Sequence, residues 1–342
     1  MNRREEDGIS MRLSILDQAP ISSNQSAADA LKASMELAQA GENLGYTRFW
    51  IAEHHDLPGL ACSAPEVMLG YIGAHTTKIR IGSGAVLLPH YKPYKIAEVY
   101  NMLATLFPDR IDVGIGRAPG GSAEATNALS DNFLQQVWNM PNSVKDLLHF
   151  IDNTVPPEHP HAKVTASPIP TVPPIPWLLG TSKKSAILAA ENGLAYVFGQ
   201  FMSDQDGAAI IEQYRNTFKP RKQNEEPRVI VTVSAICAET IDKAEDVALS
   251  SLVWGLQRKR GEGQQGVPSI QEAKDYLQNE DKTLLEEMKN SMIIGDPQQV
   301  KDRIDELQVQ YNADEIMIVT ITHSPADKIQ SYKLIAEGIL NQ

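Results

Sequence analysis

Polar and apolar residues alternate along Arg12-Leu-Ser-Ile-Leu16 and then meet Asp17-Gln18-Ala19-Pro20, which predicts a strand running into a loop. Leu31, Leu37, Ala38 and Leu44 then recur at near-helical spacing, so residues 27–44 are expected to be a helix stopped by Gly45. A second strand is expected at Arg48-Phe-Trp-Ile-Ala52, followed by a helix around residues 65–75 with its proline early, where helices tolerate one. The rhythm continues with a strand over 79–88 ended by Pro89, a helix over 96–106 and a strand over 110–115. Four more strands are expected at 175–179, 195–198, 228–237 and 315–320, with a closing helix to Leu340. Repeated strand–helix alternation predicts a parallel sheet with helices outside it. Eight strands suit closure into a (β/α)8 barrel.

Two segments break the rhythm. Residues 153–176 are rich in proline and histidine, an extended excursion before the fifth strand, and Gly261-Glu-Gly-Gln-Gln-Gly266 interrupts a long helical region between the seventh and eighth strands. Long loops in a compact domain are usually functional, and in a barrel these would cover the C-terminal mouth. The 342 residues fit one barrel domain from residue 11 to 342, with residues 1–10 expected as a disordered tail.

Composition narrows the classes. A formal charge of −12 argues against nucleic acid or an anionic membrane surface as partner, since both want a basic face. No apolar run approaches the roughly 20 residues that span a bilayer, and the charged N-terminus has no apolar stretch behind it, so a cytoplasmic protein is expected. Cys62 and Cys237 are far apart without metal-ligand spacing and read as two reduced thiols, with no metal expected.

Active sites of such barrels lie at the C-terminal ends of the strands. The strands deliver there Asp17 and Gln18, then Glu53-His54-His55, Gly84-Ala85, Gly116-Arg117, and Gly180-Thr181-Ser182. A histidine pair can ligate metal, can be structural, or can supply one catalytic histidine that titrates near neutral pH. Gly114, Gly116 and Gly120 lack the spacing of a dinucleotide fingerprint, and Pro119 interrupts the turn. Arg117 would place a fixed guanidinium at the mouth, suited to a phosphate or to a loop carboxylate. Thr181, Ser182 and Ser185 open a helix whose free N–H groups suit a phosphate, although the same hydroxyls serve as ordinary caps.

Several separated blocks resemble the bacterial luciferase-like flavin-dependent monooxygenases. They are Phe49-Trp-Ile-Ala-Glu-His-His55, Gly82-Ser-Gly-Ala-Val-Leu-Leu-Pro89 with Pro93, Phe107-Pro-Asp-Arg-Ile-Asp-Val-Gly-Ile-Gly-Arg117, Gly295-Asp-Pro-Gln-Gln-Val300, and Asp314-Glu-Ile-Met-Ile-Val-Thr320. The likeness covers roughly residues 11–341, in the family's order. It implies a catalytic His54, a non-proline cis peptide at Gly84-Ala85 against the isoalloxazine ring, and an FMN phosphate held by Arg117 and the Ser182/Ser185 pair, with Gly180 and Thr181 also expected at the cofactor. It also implies reduced FMN delivered by a separate flavin reductase, oxygen activation through a flavin C4a-hydroperoxide, a small hydrophobic organic substrate, and a homodimer. Where luciferases carry a reactive cysteine before the arginine this chain has Gly116, so a non-luminescent oxygenase is expected.

Three other readings remain at this point. Related barrels transfer hydride from a deazaflavin, and a flavin-binding barrel without turnover would share the same residues. Glu53 with Asp17 could also form the carboxylate pair of a glycoside hydrolase.

Overall fold

The computed structural model describes residues 11–277 and 282–340; the expected N-terminal tail, residues 1–10, lies outside the described residues. Its strands are β1 (Arg12–Asp17), β2 (Arg48–Ile51), β3 (Arg80–Leu87), β4 (Ile111–Gly116), β5 (Ile175–Gly180), β6 (Ala195–Gly199), β7 (Val229–Cys237), β8 (Ile293–Gly295) and β9 (Glu315–Val319). All pair in parallel, in the order β6-β5-β4-β3-β2-β1-β9-β7-β8, and β6 also pairs with β7. That last pairing closes eight strands into the expected (β/α)8 barrel. The short β8 is a ninth strand added on the outer side of β7, pairing Ala235 with Ile293 and Cys237 with Gly295.

Helices return the chain between strands. The first is α1 (Ala27–Leu44), then α2 (Pro65–His75) and α3 (Pro93–Leu106). After β4 come α4 (Ala123–Leu129), α5 (Phe133–Trp138) and α6 (Met140–Asp152). Next are α7 (Lys183–Glu191) and α8 (Gly207–Thr217), and after β7 come α9 (Ile241–Lys259), α10 (Ile270–Leu277) and α11 (Lys282–Asn290). Finally α12 (Pro297–Tyr311) precedes β9, and α13 (Pro325–Ile339) closes the chain.

Local chemistry explains these bounds. Ser26 caps α1 in a capping box with Asp29, and Gly45 ends it in the left-handed region at φ 86°. The buried face of α1 includes Met35, Leu37, Ala38 and Gly41, and the missing side chain of Gly41 makes room for Ile15. Every residue of β2, β4 and β9 is buried, as expected of parallel strands covered on both faces. Inside the barrel, Leu16, Trp50, Trp177, Val197, Ile230 and Met317 fill the core, with the two indoles edge-on at 5.6 Å.

Toward the N-terminal ends of the strands the interior is ionic. Arg48 donates to Glu315 through Nε at 2.8 Å and to Asp112 through Nη1 at 2.7 Å. Arg80 and the Trp50 indole also donate to Asp112, and the Ser14 hydroxyl to Glu315. Arg48 lies 4.6 Å above the Trp177 ring. Asp112 is held below the usual carboxylate range despite complete burial, because Arg48 and Arg80 offset its desolvation. This end of the barrel is a structural seal, opposite the mouth.

Candidate active site

The loop leaving β2 carries Glu53, His54 and His55, and backbone bonds fix it. His54 N–H donates to the Cys62 carbonyl at 2.9 Å, and His55 N–H to the Gly120 carbonyl at 2.8 Å. The Glu53 carboxylate is buried and saturated: Oε2 accepts Leu87 N–H at 2.9 Å, while Oε1 accepts the Tyr91 hydroxyl at 2.6 Å and meets His55 Nε2 at 2.7 Å. Asp17 is likewise occupied, by Lys328 at 3.0 Å, Ala19 N–H and the Ser34 hydroxyl. Both carboxylates of the hydrolase reading are therefore spent on structure, and neither is available as a second acid or base.

His54 differs from its neighbour. Its Nδ1 is buried without a partner. Burial pushes its pKa down to about 4, and the charges of Arg258 and His55 act in the same direction. The expectation of a histidine titrating near neutrality is thus corrected: desolvation keeps the imidazole neutral at pH 7, able to share a proton but not carrying a charge. Of the histidine readings, His55 is the structural one, paired with Glu53.

Across the mouth, the Gly84–Ala85 peptide is cis, and the β3–β4 register slips between Ser83 and Val86 around it. A side chain on Gly84 would press to 2.6 Å from Leu16 Cδ1, so the backbone lies directly on the barrel core. Gly116 faces the same spot: a Cβ there would come within 2.9 Å of Ala85 Cβ.

The third element lies over β4 and β5. Ser182 caps α7 and Ser185 returns the capping-box bond; Ser185 Oγ also lies 3.0 Å from the Tyr196 hydroxyl. The missing side chain of Gly180 leaves room for Ser185, and the Thr181 methyl faces Gly199. The capping reading of these hydroxyls therefore holds as geometry. Arg117 is exposed and has no acidic partner among the described residues. It lines a cavity of about 400 Å³ with Lys184, Ser185, Leu178, Leu179 and Trp138. An unpaired guanidinium and a helix N-terminus facing one cavity are the donor set that a bound anion would use. Sequence reasoning missed Lys184 and Tyr196; only Lys184, two residues beyond the Ser182 cap, left a visible signal.

The luciferase-like monooxygenase family profile matches residues 11–312 of this arrangement. The chain belongs to that family. Among relatives of this luciferase-like monooxygenase, the uncharacterized Bacillus subtilis protein YceB is 41% identical, covering 96% of this chain and all of its own length. A Bacillus subtilis N-acetyl-S-alkylcysteine monooxygenase is 35% identical over 96% of this chain and 98% of its own. The crystal structure of apo-MsnO8 superposes with TM-score 0.89 at 33% identity, covering 97% and 98% of the two chains. Two more distant barrels share the fold alone: an FMN complex of a Pseudomonas putida type II Baeyer–Villiger monooxygenase (TM-score 0.71, 19% identity, covering 98% of this chain and 99% of that one) and an F420-dependent secondary alcohol dehydrogenase (TM-score 0.67, 14% identity, covering 97% and 99%). No helix among the described residues is long and apolar enough to cross a membrane.

Proposed function

We propose that this luciferase-like monooxygenase uses reduced FMN, handed over by a separate flavin reductase, to place one oxygen atom of O2 in a small apolar organic substrate. The other oxygen atom leaves as water and the flavin leaves oxidised. The observation that carries the reading is the unpaired Arg117 facing the α7 N-terminus across a cavity on the same rim as His54 and the cis peptide.

The residues fit the group. Arg117, Lys184 and the first N–H groups of α7 would hold its phosphate, with Gly180, Thr181, Ser182 and Ser185 shaping the cradle. The Gly84–Ala85 backbone would back the ring system. When bound, reduced FMN supplies the two electrons that activate oxygen. His54, neutral and with Nδ1 unpaired, holds or passes a proton at that nitrogen, and the apolar barrel ends exclude water from it. The homodimer expected from the resemblance belongs to the same proposal, and sedimentation of the purified chain tests it.

Anaerobic titration with reduced FMN, then mixing with 18O2 in the presence of candidate substrates, tests the reading. N-acetyl-S-alkylcysteines, the class named for the 35%-identical relative, are offered first. Tight binding, reoxidation slower than that of free flavin and one labelled oxygen in the product are the expected results. Failure to bind FMN while binding a deazaflavin would move the chain to hydride transfer, and binding without any turnover would leave a flavin carrier.

A further inference from the structure

The mouth holds a second unpaired cation, on the side away from the phosphate cradle. Arg258, near the end of α9, is partly exposed and makes no side-chain hydrogen bond or ion pair among the described residues. Its guanidinium lies 4.8 Å above the ring of Trp254, which is itself buried and donates through Nε1 to the Gly263 carbonyl at 3.2 Å. Trp254 packs with Leu60 and Val267, and against Leu57 and Ile321, in a small apolar cluster separate from the main core. That cluster joins the loop after β2, just beyond His54 and His55, to the Gly261–Gly266 insertion. The insertion is pinned in turn by Val267 N–H on the Ile21 carbonyl at 2.8 Å.

The chain has 43 acidic and 31 basic residues, yet among the described residues no carboxylate pairs with this guanidinium. Stacking on an indole orients the guanidinium plane and leaves its N–H fork free for a planar, two-oxygen acceptor. The charge of Arg258 is felt at His54, whereas that of Arg117 is felt at Tyr196, so the two cations serve different sectors of the rim. One phosphate has its place at Arg117 and α7. Arg258 is left over the Trp254 ring, at the edge of the small buried cluster that Trp254 forms with Leu60 and Val267.

We propose that Arg258 binds the carboxylate of the substrate, so that the enzyme acts on amphipathic monoanions. The chemistry at His54 rests on the monooxygenase reading above, whereas the binding of the carboxylate does not. The substrate class is narrowed accordingly, from small and apolar to small, apolar and acidic at one end.

Two matched pairs test this: octanoate against octanamide, and N-acetyl-S-butylcysteine against its carboxamide. Each is titrated into the full-length protein by calorimetry. At least one acid should bind roughly 10- to 100-fold more tightly than its amide, as expected for a charge-assisted bidentate pair. Arg258→Met should abolish that preference, Arg258→Lys should keep part of it, and Arg117→Gln should leave it intact. FMN affinity, measured separately, should not change in Arg258→Met. Equal binding of acid and amide, no binding of either acid, or a preference that survives Arg258→Met would overturn the assignment. If the protein failed to bind FMN at all, the flavin reading would fall while the acid–amide comparison still decided the role of Arg258.

Discussion

Glu53 accepts the backbone N–H of Leu87 at 2.9 Å, and so ties the histidine loop after β2 to the strand that carries the cis peptide. The same carboxylate gathers the Tyr91 hydroxyl and His55. Two parts of the proposed flavin site that are about thirty residues apart in sequence are thereby held by one buried side chain. Glu53→Ala should cost about 2–4 kcal/mol of stability, because it strands several buried donors at once. It should also weaken FMN binding, whereas Tyr91→Phe should cost about 1 kcal/mol or less and spare the cofactor. Urea denaturation and FMN titration of the two variants check this, and equal effects would show that Glu53 acts through Tyr91 alone.

His54 gives a prediction in pH. Its folded pKa of about 4 lies below the ordinary value of 6.5, so the unfolded chain takes up a proton that the folded chain refuses between those values. Stability therefore rises with pH through that window, and His54 contributes a loss of about 3 kcal/mol as pH falls from 6.5 to 4. His54→Gln should flatten the acid side of the stability profile by about that amount, measured by urea midpoints between pH 4 and 7. For the same reason, kcat/KM should show no inflection near pH 6.5 that belongs to His54. An inflection there that disappears in His54→Gln would mean the imidazole is charged on one side of neutrality.

Arg117 separates phosphate from ring. Arg117→Ala should weaken FMN roughly 10- to 100-fold and leave riboflavin nearly unchanged, since only FMN offers an anion to the guanidinium. Fluorescence titration with the two flavins measures it. Equal losses would place Arg117 against the ring.

The ionic seal at the other end of the barrel is predicted to matter for stability and not for chemistry. Arg48→Ala leaves Glu315 and part of Asp112 as buried carboxylates without their main partner, which should cost about 3–5 kcal/mol. Adding Glu315→Gln to that variant should recover part of the loss. FMN affinity at the distant mouth should not move in either variant once they are folded at low temperature.

Most of the barrel was legible because its strands are largely apolar and several of its helices carry caps. Gly45 stops α1 where the sequence suggested. The ninth strand, Ile293–Gly295, escaped because three residues give no period to read. The short helices α4 and α5 were hidden because, at seven and six residues, neither is long enough to show a helical period. At the site, the histidine loop, the cis peptide and Arg117 stood out as local motifs. Arg258 did not, since it lies some two hundred positions from His54 and only the packing of Trp254 on the β2 loop brings them to one rim. The low pKa of His54 was equally invisible, because burial is a property of the whole fold.

The rim loops are stitched to one another by single backbone bridges, Ser22 with Val267 and His55 with Gly121. Backbone stitching is indifferent to most side chains, so a library aimed at new substrates could vary Gln264 and Gln265, both exposed, without unpicking the mouth. It could not vary Gly121 or Gly266, where any side chain would overlap the carbonyls of His55 and Ile21. The usable design space of this enzyme is therefore bounded by its glycines, and selection experiments should return Gly121, Gly263 and Gly266 unchanged while Gln264 and Gln265 drift.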